Sequence, residues 1–568
     1  MKGNSTKYWL AFLVFLMLLV TKKSYSQDVD LENIYKPKFK VTGGINANTI
    51  FYTSNQDSSR EPFSYLLSGN LNLSAFTFSI PISYSITNQG NNLGYSAPFD
   101  FNRLCIMPKY KWVKAYIGNV SMTFSPYTLS GFPFRGFGLE LTPRTPFKIS
   151  LMGGKLFKAI NQTDALGGIP VYERFGYGTK IGFEKESYKI GWIGFFAKDN
   201  QNSLTSVSAN TGVTPKENWV NSLIFSTSLV KNLSLNVEYT LSVLTEDTRA
   251  KNVAGRSFKD KFFSAKESTN YLDAVNINFD YSIQKTKLGL TYERVDPNYS
   301  TLGALFFNND LENIALRLSR PFYKDNINVT ASLGLQRDDL AQNKKQNSKR
   351  IVGSINMNYK INDQINCTGS YSNFSMYTNK RLNQFELINN PNIVAADTLN
   401  YRQLSQNANF NMTYAFGKKK NQKMNFNYSI AGQANEQGGV IRKGQASTIQ
   451  NYRLGHIVTF TKTKTALNSS LNYTNNQVGR LDNSVLGGSV NVSKKLLKEK
   501  LNSNLGLLYN NAKSETNSSA VMGINLNNSY TLLKKHNLTL GMVSMFRSST
   551  DNPANNDVML NFNYSYSF

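Results

Sequence analysis

The sequence has very few of the residues that build metal sites, disulfide frameworks and common catalytic centres. Its 568 residues include two cysteines and two histidines. Cys105 and Cys367 lie far apart in segments with strand-like patterns, so they predict two isolated thiols. No Cys/His cluster has the spacing of metal ligands, and no Gly-x-Ser-x-Gly nucleophile elbow occurs. We therefore expect no metal, no other cofactor and no enzymatic activity.

Beyond its N-terminus the sequence also lacks long hydrophobic runs. A membrane-spanning helix needs about 20 apolar residues, and the single long run, Trp9–Val20, is shorter than that. It follows Lys2 and Lys7 and precedes Ser24-Tyr25-Ser26, a small-x-small cleavage site. This order is typical of a secretory signal peptide. We expect residues 1–26 to be removed by cleavage between Ser26 and Gln27.

Acidic residues are few relative to basic ones. The chain has 36 Asp and Glu against 63 Lys and Arg, a formal net charge of +27, of which the signal peptide contributes four lysines. A basic balance is typical of nucleic-acid binding, but we expect no nucleic-acid partner for an exported chain. A phosphate-bearing lipid or an anionic solute suits this charge better. A solvated rim of lysines explains it equally well.

What the sequence does have is strict alternation of apolar and polar residues. From Val558 to Phe568 one parity is apolar and the other is polar apart from Met559. Segments 233–241, 275–283, 327–335 and 424–430 alternate in the same way, with asparagine and serine frequent on the polar parity. Successive strand residues point to opposite faces, and a strand between lipid and water needs this pattern. A soluble propeller would instead show repeats of about forty residues with signature motifs, and none occurs.

Connections between the strand-like segments alternate between short and long. The short ones are Lys111-Trp112, Glu184–Ser187, Val230–Asn232, Gln284-Lys285, Phe322–Asp325, Ile361–Asp363, Gly417–Lys423, Thr461–Lys464, Leu496–Glu499 and Leu533–His536. The long ones include Asp199–Glu217, Glu246–Thr269, Thr378–Thr398, Glu436–Ser447 and Thr550–Asn556. Outer-membrane barrels place short turns in the periplasm and long loops outside. Counting segments predicts about 26 strands, with a range of 22–28.

Glycine pairs occur inside two of these segments. Gly136-Phe137-Gly138 and Gly176-Tyr177-Gly178 open no helix, so they do not predict a nucleotide-binding loop. Glycine within a strand indicates a bend or a place where other groups pack closely.

These patterns resemble the outer-membrane β-barrel proteins of the Bacteroidota. The resemblance covers the whole chain and includes the Ser26-Gln27 junction. The C-terminal aromatics Tyr564, Tyr566 and Phe568 resemble the signal that such proteins present to the barrel assembly machinery. We therefore predict an all-β protein: a single large antiparallel transmembrane β-barrel over residues 39–568, preceded by a short periplasmic segment 27–38. An even number of strands places both mature termini in the periplasm.

The predicted size determines the functional hypotheses. Barrels of 16–18 strands already leave an aqueous channel, so a wider one needs its lumen filled. Segment 27–38 is too short for a plug. We expect occlusion by loops or by a partner protein, and Thr378–Thr398 and Glu246–Thr269 are long enough to fold back. The candidate occluding residues of the latter are Arg249, Arg256, Lys259 and Lys261.

The first functional hypothesis is a non-enzymatic channel or conduit in the bacterial outer membrane. The alternative is an accessory structural barrel in a larger secretion or assembly complex. An enzyme that uses His456 with a neighbouring serine is a distant third, because lone histidines are usually structural. Expected partners are outer-membrane lipid, lipopolysaccharide, the barrel assembly machinery, and other outer-membrane or periplasmic proteins.

Overall fold

The structure of the chain is a computed structural model. It describes residues 39–568 except 57–60, 89–99, 165–168, 206, 208–210, 254–264, 305–307, 339, 342–348, 378–400, 438–439, 442–445, 516 and 551–552. The predicted signal peptide with Ser26 and Gln27, segment 27–38 and the Thr378–Thr398 connection therefore lie outside the described residues. No helix in the described part of the chain is long and apolar enough to cross a membrane.

The described chain is almost entirely β-strand. The strands are β1 Lys40–Ser54, β2 Phe63–Ala75, β3 Phe78–Thr87, β4 Arg103–Ile106, β5 Lys109–Tyr110, β6 Val113–Thr123, β7 Ser130–Leu141, β8 Phe147–Phe157, β9 Arg174–Glu184, β10 Tyr188–Asp199, β11 Glu217–Val230, β12 Leu233–Thr245, β13 Thr269–Ile283, β14 Thr286–Val295, β15 Leu311–Phe322, β16 Ile327–Arg337, β17 Lys349–Lys360, β18 Ile365–Tyr377, β19 Tyr401–Phe416, β20 Gln422–Gln437, β21 Val440–Ile441, β22 Ser447–Phe460, β23 Thr465–Val478, β24 Leu481–Leu496, β25 Leu501–Lys513, β26 Ser518–Leu532, β27 His536–Ser549 and β28 Asn555–Ser567.

These strands form one closed antiparallel barrel of 26 strands. Each strand pairs with its neighbours in sequence, and β1 pairs with β28 from Gly44↔Ser567 to Ser54↔Asp557, which closes the barrel. Two segments do not count separately. β4 and β5 are two pieces of one strand between β3 and β6, and β21 pairs only with β20 inside a connection. The predicted fold class and strand number are confirmed.

The alternation of apolar and polar residues along each strand determines which side chains face outward. Leu560 and Phe562 of β28 are 40% and 41% exposed, and the apolar parity of the other strands is exposed in the same way. Asn46 and Asn563, on the opposite parity, hydrogen-bond to each other across the β1–β28 seam inside the barrel. The exterior is therefore apolar, as a surface in contact with lipid requires.

The two rims differ as predicted. The predicted tight connections all lie at one rim, where β1 begins and β28 ends, and the predicted long ones lie at the other. The second rim also has a two-residue connection, Gly479-Arg480, between β23 and β24. Several tight turns have non-glycine residues in the left-handed region, for example Leu497, Lys498 and Glu499 with φ of 50°, 55° and 69°. Exposed lysines crowd this short-turn rim, as at Lys494 and Lys534. The lysines therefore form a basic rim, and whether it is only solvated or also attracts an anionic partner stays open.

Among the described residues, the packed part of the barrel interior lies on one side. Apart from Cys367, every buried hydrophobic residue in the described ranges lies between Tyr116 and Ala315. Most of them form two clusters inside the wall of β6–β15. In β10, Ile190 and Trp192 face outward while Ile193 and Phe195 are buried inside, so this strand is apolar on both faces. The expectation of a single apolar face is wrong here, because additional chain packs against the inner wall.

Candidate functional site in the barrel lumen

One half of the lumen wall is lined by small polar residues. From β16 to β28 the inward parity is mainly asparagine, serine and threonine. One row crosses the wall through the paired residues Thr368, Asn411 and Asn427, and another through Ser370, Asn409 and Ser429. Arg453 follows Asn427 in the first row and carries a positive charge among amides. This half presents hydrogen-bond donors and acceptors toward the lumen.

Two connections fold against the other half of the wall. The first is residues 124–129 between β6 and β7, and the second is residues 296–304 between β14 and β15. Leu129 and Tyr299 are fully buried, and Tyr127 and Leu302 are 5% and 7% exposed. Phe124, Leu129 and Leu302 belong to one apolar cluster, and Tyr127 and Tyr299 to the other. Both connections are thus part of the barrel's packed interior.

Direct hydrogen bonds join the two connections. Tyr299 Oη donates to the carbonyl of Tyr127 at 2.7 Å, and Thr301 Oγ1 donates to the carbonyl of Thr128 at 2.9 Å. The backbone N–H of Ser130 donates to the carbonyl of Gly303 at 3.0 Å. A Cβ on Gly303 would lie 2.7 Å from the Thr128 oxygen, so this close approach requires glycine. The two segments therefore pack as one unit.

Side chains of the wall hold this unit in place. Asn218 Oδ1 accepts from the Leu302 backbone N–H at 3.0 Å, and Ser242 Oγ donates to the Ser300 carbonyl at 2.7 Å. Asn218 and Ser242 are fully buried and also bond to each other at 2.8 Å. Lys180 Nζ donates to the carbonyl of Phe124 at 2.8 Å. Buried polar groups need such partners, so these wall side chains and the two connections satisfy each other's hydrogen bonds.

A polar network continues from the packed unit along the inner wall. Tyr127 Oη donates to Glu293 Oε1 at 2.5 Å and accepts from Asn276 Nδ2 at 3.2 Å. Asn276 in turn bonds to Asn278. Farther along, Arg317 bonds to Asn278 at 3.3 Å and pairs with Asp280 at 2.9 Å. Asn276 and Asn278 therefore face inward, as the parity of β13 predicts, but they are engaged in hydrogen bonds.

Strand glycines make room for this packing. A Cβ on Gly178 would lie 2.7 Å from the Phe124 ring, and one on Gly176 would lie 2.8 Å from Leu156 Cδ1. A Cβ on Gly138 would lie 2.4 Å from Met122 Sδ. The prediction that these glycines let side chains pack closely is confirmed.

The C-terminal aromatics lie on the outer face near the short-turn rim. His536 Nδ1 and Tyr564 Oη are 2.8 Å apart, and the rings of His536 and Tyr566 are 4.5 Å apart. Phe568 exchanges backbone hydrogen bonds with Gly43 at the barrel seam. This arrangement suits an aromatic girdle. The role of Tyr564, Tyr566 and Phe568 as an assembly signal stays a prediction.

The predicted occluding connection is described only at its ends. Arg249 lies at one end and pairs with Asp247, and this guanidinium holds the pKa of the Asp247 carboxyl below its usual range. Asn252 and Lys266 bridge the two ends. Arg256, Lys259 and Lys261 lie outside the described residues. Occlusion by Glu246–Thr269 therefore stays a prediction.

The other side chains that could take part in catalysis or metal binding lie apart from one another. His456 faces outward, with Nε2 3.2 Å from Gln422 Oε1 and its ring stacked near Phe416. Cys105 and Cys367 are both free, as predicted. Within the described ranges, no group of three or more His, Cys, Asp or Glu residues is arranged to hold a metal ion.

The sequence reasoning missed the two inward connections. The segment 124–129 is short, and 296–304 follows a strand without a distinctive motif. One usable signal was present, because Val120, Met122, Phe132 and Phe134 are apolar on the parity that should face water. Apolar residues on both faces of adjacent strands indicate that something covers the inner face.

Comparison with known proteins gives structural neighbours only. No protein-family model matches the chain, and a search of curated proteins finds no match. The P pilus usher (PapC) translocation pore is 9% identical with a TM-score of 0.38, over 93% of this chain and 99% of that one. The siderophore receptor PirA from Pseudomonas aeruginosa is 8% identical with a TM-score of 0.39, over 94% and 81%. The FrpB iron transporter from Neisseria meningitidis is 11% identical with a TM-score of 0.39, over 92% and 82%. At these values the likeness is one of β-barrel architecture.

Proposed function

We propose that this chain is a non-enzymatic outer-membrane barrel that acts as a channel or conduit, with its lumen narrowed by its own connections. The observation that supports the proposal is that the two halves of the lumen wall differ. Inward connections cover the wall of β6–β15, while the described wall of β16–β28 presents a mainly polar surface with a few apolar residues such as Leu508, Val543 and Met559. A polar surface of this kind suits a water-filled path. The packed connections supply the filling that a wide barrel needs.

Planar-bilayer recording of the purified protein tests the proposal. Leu302→Asp should raise conductance, because an unpaired carboxylate is costly in an apolar cluster and the connection would leave the wall. Leu481→Asp is the matched control, since Leu481 is 59% exposed at the same rim. Equal conductance in wild type and Leu302→Asp would contradict narrowing by these connections. A large, unselective conductance of the wild-type protein would do the same.

The proposed orientation places the short-turn rim in the periplasm, because outer-membrane barrels keep their long loops outside. An epitope inserted in Glu246–Thr269 should be labelled on intact cells, and one in Gly417–Lys423 should be labelled only after the outer membrane is permeabilised. The reverse pattern would overturn the orientation.

The alternative proposal is an accessory structural barrel in a larger secretion or assembly complex. Gentle detergent purification followed by mass spectrometry separates the two. A single species favours the channel, and stoichiometric companions favour the complex.

A further inference from the structure

The barrel wall has an incomplete seam between the interrupted strand β4/β5 and β6. The pairing consists of Cys105↔Gly118 and Ile106↔Ile117, followed by Lys109↔Lys114 and Tyr110↔Val113. Continuing this register would pair Arg103 and Leu104 with β6, yet neither is paired there. Toward the long-connection rim, residues 119–123 of β6 have no ladder partner on this side within the described chain. Their other edge pairs with β7.

Local sequence explains where the seam breaks. Pro108 has no N–H to donate and separates β4 from β5. Gly118 has φ +96°, and a Cβ there would lie 2.2 Å from the Leu104 carbonyl oxygen. The strands therefore approach closely at Gly118, and their pairing ends beyond it. An unpaired strand edge is costly next to lipid, because its backbone groups need partners.

A cavity of about 410 Å³ lies at this gap and reaches both faces of the wall. Cys105 and Val120 line it and belong to the inward parity. Asn119 and Arg135 also line it and belong to the outward parity, with Arg135 exposed. The lining therefore combines side chains of both faces of the wall at the place where, within the described chain, β4 and β6 stop pairing toward the long-connection rim.

The lining combines cations with apolar surface. Arg103, Arg135, Lys155 and Lys158 contribute positive charge, and Asp100 is the single acidic residue of the lining. The Asp100 carboxylate lies 3.8 Å from Arg135 and 3.9 Å from Lys158. Because one carboxylate offsets only one positive charge, this cluster keeps a net positive charge.

Lys155, the fourth cation, and several apolar residues form the rest of the cavity lining. Lys155 is neutralised by Glu173, which lies outside the lining. Val120, Phe134 and Leu156 supply apolar area and belong to the packed interior cluster. Positive charge beside apolar area is complementary to an anionic amphiphile.

We propose that the gap between β4 and β6 is a lateral window that holds a phosphate-bearing lipid of the surrounding membrane. The headgroup lies at Arg103, Arg135 and Lys158, and an acyl chain lies against Val120 and Phe134. This site is separate from the proposed conduction path, and its test does not depend on conductance.

Photo-crosslinking in nanodiscs tests the window. The purified protein is reconstituted in phosphatidylcholine with a trace of diazirine-bearing phosphatidylglycerol or diazirine-bearing phosphatidylcholine, and labelled residues are mapped by mass spectrometry. Ile117, on the outer face, should be labelled by both probes. Val120, on the inner face, should be labelled as well, and more by the anionic probe. Asn427, also on the inner face but in a continuous ladder, should stay unlabelled. Labelling of Ile117 without Val120 would overturn the window.

Charge-removal variants test the headgroup site. Each basic residue near anionic lipid contributes about 1 kcal/mol. Arg135→Ala/Lys158→Ala should therefore reduce labelling of Val120 by the anionic probe by about 10- to 30-fold. Lys418→Ala/Lys419→Ala, at the opposite rim, is the matched control and should leave it unchanged. Heat-modifiable migration checks that each variant is a folded barrel. Equal labelling in both double variants would refute the anionic site.

Discussion

The hydroxyl of Thr301 is the most informative single group for testing how the two inward connections are held. Thr301 is 3% exposed, and its Oγ1 donates to the Thr128 carbonyl and accepts from the Gly303 N–H at 3.1 Å. Valine has the same shape without the hydroxyl. A buried backbone group that loses its partner costs about 1–3 kcal/mol, so Thr301→Val should destabilise the packed position by roughly 2–6 kcal/mol.

That loss should be visible as more frequent release of the connections from the wall. Because about 1.4 kcal/mol corresponds to a factor of ten, the released fraction should rise at least ~30-fold. Single-channel recording should show more frequent or longer high-conductance events, and limited proteolysis should cut within 296–304. Thr301→Ser keeps the hydroxyl and removes only a methyl group, so it should resemble wild type. If Thr301→Val also resembles wild type in both assays, the hydrogen bonds do not hold the connections and the reasoning fails.

Three further predictions concern the wall, the last strand and the pore. Phe426→Arg places a charge toward lipid and should lower the free energy of unfolding by about 2–4 kcal/mol, measured by an unfolding titration in lipid vesicles. Asn427→Arg faces the polar lumen and should be tolerated. Equal losses of stability in the two variants would contradict the assigned faces. Deleting Phe568 should lower the amount of heat-modifiable barrel in the outer membrane, whereas Ser567→Asp on the inward parity should not, and unchanged levels after the deletion would count against an assembly role. If Leu302→Asp opens the pore, reversal potentials in a salt gradient should show anion selectivity, because clustered positive charge raises the local anion concentration; cation selectivity would contradict a role for the basic rims.

The barrel architecture could be predicted because lipid outside and water inside impose a period of two on every strand. In β13, Ile277 and Phe279 alternate with Asn276 and Asn278, and this pattern predicts the strand and its outward face. Connection lengths then give the two rims. Both are local properties of the chain, so no knowledge of distant contacts is needed.

The filling of the lumen could not be predicted because it depends on contacts between residues far apart in sequence. Tyr299 reaches the carbonyl of Tyr127, and Leu302 reaches Asn218. Nothing in the local pattern of 296–304 identifies those partners. Loop length favoured Glu246–Thr269 and Thr378–Thr398, yet the connection between β6 and β7 is among the shorter ones at its rim. The apolar inner faces of β6, β7 and β10 were the available indication.

The difference between a local pattern and contacts with distant residues also applies to Asn278. Its parity predicts a lumen-facing residue that tolerates a larger polar side chain. In the structure it accepts hydrogen bonds from Thr291 at 2.8 Å and from Arg317. A residue in that network is not free to change, so Asn427 is the better position at which to test tolerance.

The central claim, a lumen packed on one side and wet on the other, is tested most directly by thiol labelling at matched inward positions. Cys105 and Cys367 are first replaced by serine, and single cysteines are then introduced as Ser222→Cys and Asn427→Cys. Ser222 is fully buried on the inward parity of β11, in the packed half, whereas Asn427 is part of the polar wall. With a charged, membrane-impermeant thiol reagent, the Asn427→Cys protein should react rapidly and the Ser222→Cys protein should be protected until it is unfolded. Equal rapid labelling at both positions would contradict the packed side, and equal protection would contradict the water-filled one.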